Sequence, residues 1–275
     1  MKVLLKYVFL SFLFLSCEDV IELDLPTTNS ILIIDANINL FNSQTPQVVS
    51  GGVRLTRSTD FYDTEVPLVT NAQVSIKNLN TGYEFSLPYS GKNGWYTIND
   101  LAFFADPTAF YELKIVHENE VYIGVSEIHE VSPIDKLVQG NRTLFNGDEI
   151  EVEICFSDNA AKVNYYLYDL GFDQFQPIQD QFFQGSNFTF SNFYKPEDLS
   201  VGDTLVVKGF GISKQYFNYM ELLLSQTGNS GGPFGNVAAT ARANITNTTN
   251  PSDFPLGYFI ISQGVSKSIV IKDLN

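Results

Sequence analysis

Polar and apolar residues alternate along most of this chain, and that period constrains the fold more than any other feature. Successive side chains on a strand point to opposite faces, so a period of two marks a half-buried strand. Residues 72–77 (AQVSIK) and 83–87 (YEFSL) alternate cleanly around Asn78-Leu79-Asn80-Thr81-Gly82, where Asn and Gly accept the positive φ of a hairpin. Tyr111-Glu112-Leu113-Lys114-Ile115 and Val121-Tyr122-Ile123-Gly124-Val125 flank His117-Glu118-Asn119-Glu120 as a second hairpin. Residues 31–40 are β-branched and alternate in their C-terminal half. Further strands are expected in 149–156, 162–170, 204–209 and 258–262. Short alternating strands with frequent turns predict β-sandwich architecture.

Ser132-Pro133 interrupts the pattern, since proline disfavours helix before it and ends strand pairing. The expected fold is therefore mainly β, with two tandem sandwich-like domains over 30–131 and 132–275. One helix is predicted near 213–227. Ser213 caps it, Gly228 ends it, and Tyr216, Met220, Leu223 and Leu224 recur at helical spacing with Phe217 and Leu222 widening the stripe. The plain reading packs that helix over a sandwich edge or end. At 275 residues and 44% apolar content the chain suits one large domain or two, and it needs no disulfide or metal for stability.

The N-terminus reads as a signal. Lys2 and Lys6 precede the apolar run 7–15 (YVFLSFLFL), and the small Ser16 precedes Cys17. A spanning helix needs about 20 apolar residues, so this segment is too short to cross a membrane. The pattern is that of a lipoprotein signal over 1–16, with Cys17 as the lipid-attachment residue and 17–29 as an acidic tether. A lipidated Cys17 would hold the protein on a membrane without crossing it.

The formal net charge is −15, with no basic stripe. Nucleic acid is excluded as a partner on that ground, and membrane attachment falls to the lipid rather than to the protein's face. If Cys17 carries lipid, Cys155 is the other of the two cysteines and has no disulfide partner. It sits in Glu151-Val152-Glu153-Ile154-Cys155-Phe156, on the face opposite Ile154 and Phe156, and reads as a buried inert thiol.

Chemistry is sparse. His117 falls in a hairpin turn and His129 in the stretch between domains, without metal-ligand spacing. Residues 228–235 (GNSGGPFG) contain no lysine and lack P-loop spacing, so they read as a loop. Asp60, Asp63 and Glu65 cluster but lack the pattern of a calcium loop. No cofactor or metal is implied, and no catalytic residue is assigned. A glycosidase carboxylate pair is not excluded by spacing alone. Asp203-Thr204-Leu205 resembles a short bacterial O-glycosylation site, and a strand start is the plainer meaning. Residues 171–194 are rich in aromatics interleaved with Gln, Asn and Ser. Phe188 and Phe190 alternate as in a strand. Phe172, Phe175, Phe182 and Phe183 either form an exposed contact for a ligand or partner, or fold back into the core.

Several stretches carry a family likeness in their order. Ile33-Ile34-Asp35-Ala36-Asn37-Ile38 is followed by Val69-Thr70-Asn71-Ala72-Gln73-Val74-Ser75-Ile76, Gly94-Trp95-Tyr96 and Val131-Ser132-Pro133-Ile134-Asp135. Gly232-Pro233-Phe234, Ala243-Asn244-Ile245 and Leu256-Gly257-Tyr258-Phe259 come later. This order resembles the Bacteroidota lipoprotein family called domain of unknown function 4249. The pieces within 30–131 also look like a carboxypeptidase-regulatory or transthyretin-like sandwich. In lipoproteins of that phylum, acidic residues such as Glu18 and Asp19 after the cysteine resemble a surface-export signal, although a solvated tether would look the same. The resemblance implies a non-enzymatic outer-membrane accessory, facing the cell surface, whose partner is a TonB-dependent transporter barrel and which captures ligand or caps the barrel. A structural subunit of an envelope complex and a glycan-active enzyme are the alternatives.

Overall fold

The computed structural model describes residues 30–41, 48–60, 63, 65–98, 100–104, 106–144, 147–158, 163–181, 184–227 and 240–273. Cys17, Glu18, Asp19, Phe182, Phe183 and the glycine-rich run 228–235 lie outside the described residues. The protein is mainly β, with 52% of residues in strands, and the sheets curl into a near-barrel.

Seven strands precede Ser132-Pro133: β1 (Leu32–Phe41), β2 (Val48–Arg57), β3 (Gln73–Asn78), β4 (Glu84–Leu87), β5 (Trp95–Tyr96), β6 (Phe110–His117) and β7 (Glu120–His129). After it come β8 (Ile134–Gln139), β9 (Ile150–Ser157), β10 (Tyr165–Asp169), β11 (Phe175–Gln179), β12 (Asn187–Tyr194) and β13 (Thr204–Gly211). Helix α1 (Lys214–Thr227), β14 (Ile245–Asn247) and β15 (Leu256–Val270) complete the described order. Among the described residues α1 is the one α-helix, and no helix is long and apolar enough to cross a membrane.

The expected hairpins are present. Asn78 Oδ1 accepts the backbone N–H groups of Asn80 and Thr81 in the β3–β4 turn, where Gly82 takes φ +76°. The β6–β7 turn is made by Glu118 and Asn119, both at positive φ. His117 is corrected from the turn to the last residue of β6, and its side chain is buried. His129 likewise ends β7 rather than lying between domains. Cys155 is half-buried rather than buried, on the face of β9 opposite Ile154 and Phe156.

Two sheets form. The small one runs β12-β9-β8, and the large one holds 12 strands with the path β11-β10-β13-β15-β7-β6-β3-β4. Strand β15 is its hub. Its first half lies parallel to β1, from Ile33↔Leu256 to Leu40↔Gln263, and its second half is antiparallel to β13, from Phe210↔Gly264 to Thr204↔Val270. Strands from both sides of Ser132-Pro133 thus share one sheet. One core gathers β1–β7 side chains with Ile245, Phe259 and Ile261, and a second gathers residues after 131, with Val265, Ile269 and Ile271 from β15.

Strand β1 positions the site. Leu32, Ile34, Ala36, Ile38 and Leu40 enter the first core, so the alternate residues Ile33, Asp35, Asn37 and Asn39 emerge on the opposite face. Close approach of β15 to β1 depends on Gly257, at φ +104°. A Cβ there would sit 2.0 Å from the Ile34 carbonyl oxygen.

Candidate functional site

The outer face of the sheet carries a groove of about 850 Å3, inside the usual range for small-ligand sites. Its floor is built from alternate residues of four strands: Asp35 and Asn37 of β1, Tyr258 and Ile260 of β15, Lys208 and Phe210 of β13, and Leu167 and Asp169 of β10. Helix α1 forms the wall. Ser213 Oγ accepts the Tyr216 N–H at 3.0 Å, which is the expected N-cap. That start aims Tyr216, Phe217 and Met220 inward, where they are buried in a third core with Tyr258 and Ile260. Leu223, expected in the buried stripe, instead stands at the groove rim, 39% exposed, with Phe175 (39%) and Phe254 (53%). A helix over a sheet face cannot bury every apolar position, because the stripe is wider than the contact.

A hydrogen-bonded relay joins wall to floor. The Tyr216 hydroxyl donates to Asn37 Oδ1 at 3.2 Å, and the Asn37 amide donates to Asp35 Oδ1. Burial raises the Asp35 pKa above the ordinary carboxylate value, while the charge of Arg54 and the Asn37 hydrogen bond partly oppose that shift. Tyr216, Tyr219 and Tyr258 form a ring cluster, with centroids 4.9 to 5.8 Å apart. Burial pushes all three hydroxyls up, so they stay protonated donors. At the other end Lys208 Nζ and Asp169 Oδ2 pair at 3.1 Å.

Of the aromatic residues expected to make contacts, Phe175 lines the groove and Phe172 does not. Phe172 is 47% exposed in the β10–β11 turn at φ +53°, an unusual backbone state for phenylalanine, with its ring edge-on to Tyr194 at 5.9 Å. Phe188 and Phe190 do lie on a strand, β12, packed against the second core. Asp35, Asn37, Tyr219 and Tyr258 were missed as site residues. For Asp35 and Asn37 the signal was the polar half of an alternating β1, which reads equally as a solvated face.

Of the other carboxylates, Asp158 and Asp180 act on one another beside Tyr166. Asp63 accepts the Thr59 hydroxyl at 2.5 Å, and among the described residues no group of three or more His, Cys, Asp or Glu is arranged to hold a metal. Asp180 is fully buried. Its Oδ2 takes the Asn164 N–H at 2.7 Å, its Oδ1 has no hydrogen-bond partner among the described residues, and burial raises its pKa. Thr204 of the Asp203-Thr204-Leu205 triplet is the exposed first residue of β13.

The family described as "Domain of unknown function (DUF4249)" matches residues 18–268. No curated protein matches the chain. Among solved structures, the chicken interferon gamma receptor alpha chain aligns with 68% of this chain and 90% of its own at 11% identity. The TM-score is 0.18, too low for that likeness to carry any argument.

Proposed function

The chain belongs to the DUF4249 family, and we propose that it is a non-enzymatic, lipid-anchored binding protein of the outer membrane that works beside a TonB-dependent transporter. The groove between α1 and the sheet carries this reading. It is open, mostly apolar, and furnished with a few convergent polar groups, as a ligand site is and a purely structural face is not. Cys17 is the proposed anchor, and Glu18-Asp19 the proposed export signal to the cell surface. The first and second cores are read as the centres of two tandem sandwich-like lobes. The exposed phenylalanines at 172 and 175, with those at 182 and 183, are the proposed contacts for the barrel or its cargo.

The test is capture of the tagged chain from membranes solubilised in mild detergent, read by mass spectrometry. Near-equal recovery of a TonB-dependent barrel, lost when Cys17→Ala releases the chain from the membrane fraction, is expected. Recovery of the chain alone would remove the transporter partnership, and membrane retention of the Cys17→Ala chain would remove the anchor.

A further inference from the structure

Resting on that binding role, we propose that the groove selects a ligand that joins a cationic amine to an apolar body. Three observations converge on Asp35. First, its carboxylate lies on the groove floor, where the Asn37 amide donates to it, and among the described residues no cation makes a contact ion pair with it. Arg54, opposite Asp35 in β2, turns its Nε to the Asn93 carbonyl instead. The charge of Arg54 offsets part of the cost of burying that carboxylate, and a cation in contact with it would offset more.

Second, the rings of Tyr216, Tyr219 and Tyr258 gather beside this carboxylate, tied to it through the Tyr216–Asn37–Asp35 relay. Aromatic faces carry negative potential and attract ammonium groups, most strongly where water is displaced. Third, the other charges in the groove cancel. Lys208 and Asp169 pair with one another, and Arg54 acts on Asp35 from outside the lining, so Asp35 sets the sign of the groove surface. Ile33, Leu167, Phe210, Ile212 and Met220 line the rest and suit a hydrocarbon or aromatic body. The chain's net charge of −15 draws cations in the same direction.

The test uses three probes of one shape: 4-phenylbutylamine, 4-phenylbutan-1-ol and 4-phenylbutanoate. Each is titrated calorimetrically into the full chain at pH 7.5 and one salt concentration. The amine is expected to bind about tenfold more tightly than the alcohol, as one partly desolvated ion pair allows. The carboxylate should be weakest. In Asp35→Asn the amine-to-alcohol ratio should fall to about one, with a thermal melt confirming that the variant is folded. The probe series on the unsubstituted chain stands whether or not the variant folds. If alcohol and amine bind equally, the groove remains a ligand site and the amine class is overturned. Tighter binding of the carboxylate overturns it too. If no probe binds at millimolar concentration, the binding role falls with it.

Discussion

Burial of Asp35 on the groove side of β1 has a stability consequence with a definite sign. Burial raises its pKa, with Arg54 on β2 and Asn37 on β1 opposing; Tyr216 and Tyr219 of α1 and Tyr258 of β15 add no positive charge. The folded state therefore holds the Asp35 proton more tightly than the unfolded state does. That contribution favours folding below the ordinary carboxylate range and is lost as pH rises through the raised folded value. At pH 7 the ionised group costs stability. Asp35→Asn keeps the shape and an acceptor for the Asn37 amide, so it should raise the melting midpoint at pH 7 by about a few degrees. The gain should shrink toward zero near pH 3, where the native carboxyl is already protonated. Thermal melts at the two pH values check this, and a lower midpoint at pH 7 would mean that Asp35 is stabilised by its surroundings. Such a residue is hard to find from sequence. Alternation shows that Asp35 and Asn37 share one face of a strand, but a solvated face and a covered one have the same pattern.

Elements repeat this lesson with different outcomes. Helix α1 was legible, because the Ser213 cap and the spacing of Tyr216, Phe217 and Met220 are local signals. Its seat across the outer sheet face was not, because that depends on strands distant in sequence. The hairpins β3–β4 and β6–β7 were legible for the same local reason. By contrast, β1 and β15 pair in parallel across almost the whole chain, and alternation carries no record of a partner. The one trace is Gly257. It holds φ +104° where β15 meets Ile34, and any side chain would strike that carbonyl. Gly257→Ala combines backbone strain with a steric overlap, and each is worth about 1–3 kcal/mol. We expect a loss of roughly 2–4 kcal/mol in the urea unfolding free energy. Loss below about 0.5 kcal/mol, the ordinary surface range, would mean that the two strands separate easily at that point.

At the scale of the molecule, β15 decides whether the two proposed lobes are separable. Ser132-Pro133 falls where β7 of the large sheet gives way to β8 of the small one, but β10, β11, β13, β14 and β15 return to the large sheet. Yet the first lobe is completed from the other side of that boundary. Ile245, Phe259 and Ile261 are buried in its core, and β1 takes β15 as its parallel neighbour. Each such side chain contributes about 1.5–3 kcal/mol on burial, so the three together approach the whole stability of an ordinary domain, about 5–15 kcal/mol. Cutting the chain after 131 would also bare the edge of β1, a strand whose core face is wholly apolar. Residues 30–131 expressed alone are therefore expected to show no cooperative melt and to aggregate. The full chain should unfold in one transition. Trp95, the single tryptophan, sits in β5 of the first lobe and reports on it, while far-UV circular dichroism reports on both. Coincident curves from the two signals would show that β15 couples the lobes into one cooperative unit. A Trp95 transition displaced from the dichroism curve, or a folded 30–131 fragment, would show instead that the tandem lobes are independent, with β15 as a shared strand that neither needs.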